Sequence, residues 1–351
     1  MEGTPLNADS TLFAKGAARR FAPKSLAPVI RVGGLLGAII VVGIGFGLLN
    51  PAFLTIDIGT TVLRSMCSVA ILGLGLTLVI VSGEIDLSIG AMYGLASNSL
   101  AVIWIVGGVP IYFALPLVLV IGAAVGAFNG ILSTYLRIPS FIVTLGSYNL
   151  LYGLSLLITN ATTYSPAYPP AGYAVPAPQI SFFASLARQI GTRQISLEIV
   201  WMIGLAIVLA YILHGSLYGF RLFAIGGNAT AARLARLPVN RYKIFAFIAS
   251  GILASVAGIL DFSFVQTTQP DIGLSQTFPV FAAVVIGGAS LAGGKGTVIG
   301  TLGGAFLLAE LQTGLAVLSP GPYAQQIFLG IVTIGAVALD VALSLLDRQR
   351  R

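Results

Sequence analysis

ILGLGLTLVIVSGEIDLSIGAMYGLASN, residues 71–98, is apolar up to Gly83, shows two carboxylates at Glu84 and Asp86, and then turns apolar again. The uncharged run leading into it, Ser65 to Gly83, is 19 residues long. At a rise of ~1.5 Å per residue such a run reaches across a hydrocarbon layer ~30 Å thick. Glu84 and Asp86 therefore mark a turning point in a membrane. A carboxylate in hydrocarbon costs at least ~2.5 kcal/mol, so both acids belong at an interface, in a water-filled path or against a partner. The chemistry implied is passage, not bond making.

Composition supports that reading. Of 351 residues, 57% are hydrophobic and 8% charged, with a mean hydropathy of +0.98, whereas soluble domains carry ~25% charged residues. An all-α polytopic membrane protein follows. Glycine, at 43 residues, is nearly twice as common as usual, and small residues let helices approach closely in lipid. One Cys (Cys67) and one His (His214) exclude a disulfide framework and a His/Cys metal cluster. The carboxylates are too scattered to suggest a metal site.

Working outward, residues 1–31 are polar, with Lys15, Arg19, Arg20, Lys24 and Arg31, and no small-residue cleavage site follows the first apolar segment. This reads as a cytoplasmic tail before an uncleaved helix. Ten spans are expected, at 32–49, about 62–82, 88–106, 111–135, 140–159, 197–214, 244–262, about 278–292, 297–318 and 324–345. They make up a permease domain over 32–346, with a short tail at 347–351. Residues 160–196, rich in Pro, Tyr and Ala, read as an external loop, and the basic stretch 215–243 as a cytoplasmic one. Gly122, Gly126 and Gly130, and again Gly296, Gly300 and Gly304, recur at four-residue spacing as packing stripes.

Ten crossings with both termini inside can be tested against the cations. Lys15, Arg19, Arg20, Lys24, Arg31, Arg137, Arg221, Arg233, Arg236, Arg241, Lys243, Lys295, Arg348, Arg350 and Arg351 fall inside, and only Arg64, Arg188 and Arg193 of the 18 fall outside. That bias is the positive-inside rule, and it accounts for the net charge of +7 without nucleic acid as a partner.

Several motifs carry two readings each. Asp86 precedes Leu87-Ser88-Ile89-Gly90 and can cap the following helix, while the Gly-flanked break can also be a gate or part of the passage, as discontinuous helices are elsewhere. Gly226-Gly227-Asn228 breaks the chain, Asn228 can cap, and ATAARLARL then reads as a short helix bearing cations; an ordinary basic loop is the plainer account. Gly293-Gly294-Lys295-Gly296 fails as a phosphate loop, because Ala289 stands at the required first Gly and Gly296 at the Ser/Thr position. The chain should not hydrolyse ATP by itself. Asn98, Asn129, Thr144, Asn149, Glu310 and Gln312 lie inside spans, where most such groups make interhelical hydrogen bonds.

Three stretches together resemble one family, the membrane-spanning permease subunits of bacterial ATP-binding-cassette importers of the ribose, galactose and xylose type. They are GLTLVIVSGEIDLSIGAMYGLASN (75–98), GFRLFAIGGNATAARLARLPVNRYKIFAFIASGILASVAGIL (219–260) and AAVVIGGASLAGGKGTVIGTLGGAFLLAELQTGL (282–315). Fainter likeness runs through FNGILSTYLRIPSFIVTLGSYNLLYG (128–153) and GAVALD (335–340). Departures are Glu84 in place of a Gly, Arg236 where the second stretch usually has Gly, Pro279 where an acid is frequent, Tyr152 where Arg is common, and Gln312-Thr313 for an Asn-containing pair.

The resemblance implies an inner-membrane subunit working as one of a pair, homodimer or heterodimer, and bound to a separate ATP-binding subunit. It also implies a periplasmic binding protein that delivers the solute, most simply a monosaccharide. This chain would bind no cofactor, ATP being used by the partner. Gly226, Gly227, Asn228, Ala231, Ala232 and Arg233 would form the coupling helix seated in the ATPase. Glu84, Asp86, Ser88, Asn98, Asn129, Phe141 and Thr144 are the candidates for the passage or its gate, since sugars need donors, acceptors and aromatic faces. A nucleoside, polyol or signalling-sugar permease remains open within the family. From other classes come an ion-coupled transporter, with Glu84, Asp86 and Glu310 as ion sites, and an intramembrane enzyme, for which the chain lacks a His/Cys metal set.

Overall fold

A computed structural model describes residues 27–191, 195–318, 321, 323–328, 330–335 and 338. Lys15, Arg19, Arg20 and Lys24 of the expected amino-terminal tail, the tail at 347–351 and much of the expected span 324–345 lie outside the described residues.

The described chain is mostly helical: α1 (Ala27–Leu49), α2 (Ile56–Val81), α3 (Ile89–Ala101), α4 (Ile111–Thr134), α5 (Ser140–Thr159), α6 (Ala177–Ser185), α7 (Leu197–Ala210), α8 (Leu217–Gly227), α9 (Ala229–Leu234), α10 (Val239–Val265), α11 (Thr277–Ile286) and α12 (Val298–Leu318). Wider π turns extend α3 through Val106 and α7 through Gly215. Seven helices are long and apolar enough to cross a membrane, and shorter apolar helices lie at Gly33–Leu49, Thr277–Ile286 and Tyr323–Gly335.

Helix α2 is the axis of the bundle. Its residues from Val69 to Val81 are all buried, and it packs on α10, α12, α11 and α7. The hydroxyls of Thr77 on α2 and Thr301 on α12 lie 2.6 Å apart. Helices α4 and α5 sit at the periphery, and their exposed side chains, among them Phe113, Val120, Leu145 and Leu157, are apolar as a lipid-facing surface requires. The first glycine stripe meets α10. A Cβ on Gly126 would come 2.2 Å from the Phe247 carbonyl oxygen, and one on Gly122 would come 2.5 Å from that of Gly251. The second meets α11, where a Cβ on Gly300 or Gly304 would strike the Gly287 or Ala283 carbonyl.

Several expected boundaries move. Helix α1 begins at Ala27, inside the stretch read as a tail, α2 starts at Ile56 and not 62, and α10 spans Val239–Val265 and not 244–262. The expected span 278–292 is shorter still: α11 ends at Ile286, and Gly287–Gly288 with the left-handed Gly293 and Gly294 turn the chain instead. The stretch 160–196, expected as an external loop, is partly ordered by α6 and by an antiparallel pairing of Gln189–Ile190 with Ile195–Ser196. Trp104 Nε1 donates to Gln179 Oε1 and ties that loop to the end of α3.

Sequence reasoning gave Arg64 only a place on the outer side of the membrane, and the structure gives it a partner set. Its guanidinium, on α2, reaches Glu198 Oε2 of α7 at 3.3 Å and Asp261 Oδ1 of α10 at 3.0 Å, and stacks 3.8 Å from the centre of the Phe264 ring. Three helices are thereby pinned by one cation. Removing it would strand two largely buried carboxylates.

Candidate functional site

The turn at Gly83–Asp86 lies at one end of the bundle, and other segments converge on it. Gly83 adopts φ +81°, which glycine tolerates without penalty. Beside it lies Gly226 of α8, packed so closely that an added Cβ would stand 1.8 Å from the Val81 carbonyl oxygen and 2.7 Å from Gly294 N. Gly293 (φ +86°) and Gly294 (φ +70°) close the cluster, and Gly294 N donates to Val81 O at 3.0 Å. Four glycines thus bring the α2–α3 turn, the end of α8 and the α11–α12 turn into backbone contact. The Gly-Gly-Lys-Gly stretch that fails as a phosphate loop is a member of this knot.

Glu84 leaves the knot on the other side, where Lys243 Nζ of α10 donates to its carboxylate. Between Glu84, Arg137, Ser140, Arg233 and Lys243 lies an open cleft of about 250 Å³. Asp86 points inward and is buried. Its Oδ1 accepts from the Ser88 backbone N–H at 3.0 Å and from Ser88 Oγ at 2.6 Å, and its Oδ2 accepts from Ser250 Oγ at 3.0 Å. The carboxylate thus braces the turn just before α3, two residues ahead of the helix's own cap position. Burial pushes its carboxyl up in pKa, and the bonds from Ser88 and Ser250 act against that shift.

The polar chain continues. Asn129 Nδ2 of α4 donates to Ser88 Oγ at 2.9 Å, and Ser147 Oγ of α5 donates to Asn129 Oδ1. Leu87 N donates to Thr144 Oγ1, and Ile85 N to Ser140 Oγ. So Asp86, Ser88, Asn129 and Thr144, singled out separately, are one hydrogen-bonded unit joining α3, α4, α5 and α10. Two others are elsewhere. Asn98 is buried in mid α3, donating to Gln269 O at 3.1 Å and accepting from Thr268 Oγ1 at 2.8 Å. Phe141 is half exposed on the outer face of α5. Glu310, on α12, faces Gly43 of α1, and its Oε2 has no hydrogen-bond partner among the described residues. It does not join Glu84 and Asp86. Among the described residues no three His, Cys, Asp or Glu side chains could hold a metal together.

The basic segment forms two short helices. Asn228 caps α9, its Oδ1 accepting from Ala231 N at 2.9 Å. Ala232 is buried with Ile225 and Val239, which anchors α9, while Ala231, Arg233 and Leu234 stand exposed. The helix ends in a paired-turn cap: Leu237 N donates to Ala232 O and Arg236 N to Arg233 O. Arg236 itself has φ +60°. That left-handed position is the one a glycine favours, a physical reason for the glycine usual there in the resembling family.

Lys243, Ser140, Ser250, Gly83, Gly293 and Gly294 were missed as site residues. Their spacing carries no local signal, since the α5, α10 and α11–α12 residues among them meet the turn from segments far from it in sequence.

A family model described as "Branched-chain amino acid transport system / permease component" matches residues 59–337. The ribose import permease protein RbsC of Escherichia coli (strain K12) is 35% identical over 295 residues, covering 83% of this chain and 88% of that protein. The xylose transport system permease protein XylH of the same strain is 32% identical over 343 residues, covering 84% and 87%. The probable ABC transporter permease protein YphD, also of that strain, is 34% identical over 311 residues, covering 89% and 90%. No solved structure matches the chain.

Proposed function

Since the chain belongs to this family of ATP-binding-cassette importer permeases, of the ribose and xylose type, we propose that it forms the passage for a monosaccharide handed over by a periplasmic binding protein. It is a multi-pass inner-membrane transport subunit, not an enzyme. A second permease subunit completes the passage, and ATP is bound and hydrolysed on a separate subunit.

The proposed topology has ten crossings with both termini in the cytoplasm. Its support is the seven long spans with three shorter apolar helices, and the gathering of Arg137, Arg221, Arg233, Arg236, Arg241 and Lys243 toward the end of the bundle that holds Glu84. The ATPase grips α9 through its exposed Ala231, Arg233 and Leu234.

The observation that carries the mechanism is the glycine knot. With Gly226 against Val81 O and Gly294 bonded to the same carbonyl, a displacement of α8–α9 has no slack to absorb it and reaches the ends of α2 and α11 directly. The unit of Asp86, Ser88, Asn129 and Thr144, with Glu84 held by Lys243, then works as the gate, tying the start of α3 to α4, α5 and α10.

The test is Ala231→Glu combined with Leu234→Glu in the complex with its ATPase. Both positions face outward, so insertion should be unaffected, while ATPase co-purification and uptake should be lost. Normal co-purification would remove the docking role from α9.

A further inference from the structure

Between α10 and α11 the chain runs without helix from Gln266 to Gln276, and its contacts fix its depth. Asn98 of α3 donates to Gln269 O. A Cβ on Gly94 would lie 2.1 Å from Ile272 O, and one on Gly90 would lie 2.5 Å from Gly273 O. The span Ile89–Val106 is 18 residues long, so Gly90 and Asn98 stand roughly 2 Å and 14 Å above its start at ~1.5 Å per residue. Residues 269–273 therefore lie alongside α3 within the membrane layer. There, irregular backbone is tolerated only where protein buries it or water wets it.

One side of this stretch is buried against α3. The other is not: Gln269, Asp271 and Ser275 are exposed. The Asp271 carboxylate has no ion pair among the described residues. A carboxylate, an amide and a hydroxyl in succession at this depth do not face lipid tails. Next to them stand two aromatic side chains of α5. The Tyr148 hydroxyl lies 3.5 Å from Leu274 O, and Tyr148 and Tyr152 are neighbours one turn apart, both half-buried.

Resting on the reading of the chain as a sugar permease, we propose that Gln269, Asp271 and Ser275, flanked by Tyr148 and Tyr152, are the wetted wall of the passage that contacts the solute. A second permease subunit closes the passage opposite. The chemistry selects a neutral polyhydroxylated solute. A carboxylate accepts from two adjacent hydroxyls, the amide both donates and accepts, and aromatic faces cover the C–H side of a sugar ring. Asp271 also sets the wall against anions, so sugar acids and sugar phosphates are disfavoured.

Cys67 is the chain's one cysteine, so a Cys67→Ser background allows clean thiol scanning. Gln269→Cys and Ser275→Cys, with Leu157→Cys on the lipid face of α5 as control, are made in the complex with its ATPase. They are then treated with a charged methanethiosulfonate in membrane vesicles. Thiols react as thiolates, which need water, so the two wall positions should label at least about tenfold faster than Leu157→Cys. Equal rates would overturn the proposal. In parallel, Asp271→Leu is assayed for uptake of D-ribose and D-xylose in proteoliposomes with the binding protein. Uptake should be lost while the ATPase still co-purifies, and unchanged uptake would remove Asp271 from the wall. Failure of the unaltered transporter to move either sugar would count against the sugar reading and leave the labelling result standing.

Discussion

Gly226→Ala is the sharpest perturbation the structure offers. The new methyl carbon would sit 1.8 Å from Val81 O, 2.7 Å from Gly294 N and 2.9 Å from the Val81 carbonyl carbon. All three are backbone atoms, so no side chain can swing aside, and roughly 1.5 Å of separation must come from moving whole segments. That movement breaks the 3.0 Å bond from Gly294 N to Val81 O, a loss of about 1 kcal/mol. Overpacking of this kind costs a further ~1–3 kcal/mol. The knot is weakened by about 2–4 kcal/mol, or roughly 30- to 1,000-fold in its closed population at 1.4 kcal/mol per factor of ten. Gly227 is the control, because a Cβ there meets nothing within 4 Å and should cost no more than about 0.5 kcal/mol. In proteoliposomes holding the ATPase and binding protein, Gly226→Ala should hydrolyse ATP without matching uptake. Gly227→Ala should keep the two in step. Should both variants transport alike, contact at the knot would not be the route by which motion passes.

Other substitutions test neighbouring parts. Asp86→Asn should cost about 1–3 kcal/mol, since one amide group cannot accept from both Ser88 and Ser250, whereas Asp57→Asn on an exposed turn should stay within about 0.5 kcal/mol; thermal unfolding in detergent compares them, and equal midpoints would sink the assignment. Arg64→Met strands Glu198 and Asp261 and should cost about 3–5 kcal/mol, read as lost yield of folded protein and partly restored by Glu198→Gln with Asp261→Asn. Arg236→Gly relieves a left-handed residue at φ +60° and should raise the thermal midpoint by the equivalent of up to about 1 kcal/mol with uptake unchanged; a drop would show that the arginine side chain itself holds the turn.

Much of this architecture is legible in the sequence because lipid imposes a simple grammar. Apolar runs such as 140–159 give a helix with the expected bounds, since Pro139 and Asn160 stop it at both ends. Glycine spacing on α4 points to a tight neighbour. What the neighbour is does not show, because Gly251 and Phe247 lie more than a hundred residues away. The same limit hides the ion set of Arg64, Glu198 and Asp261: each charge looks like the end of a span when read alone, and only packing makes them partners. The segment QTTQPDIGLSQ shows the same limit: its polarity marks a break between two spans, but not that Asn98 of α3 donates to its backbone and that Gly90 and Gly94 make room for it inside the layer.

The seam between α4 and α10 has a mechanical corollary. Gly122 and Gly251 each press on the other's carbonyl, and Gly126 presses on that of Phe247, so neither helix can slide lengthwise without driving main-chain atoms together. The pair is a keel: it can tilt as one rigid body but cannot shear. Whatever rearrangement opens the protein first to one side and then to the other must run along a boundary other than this seam.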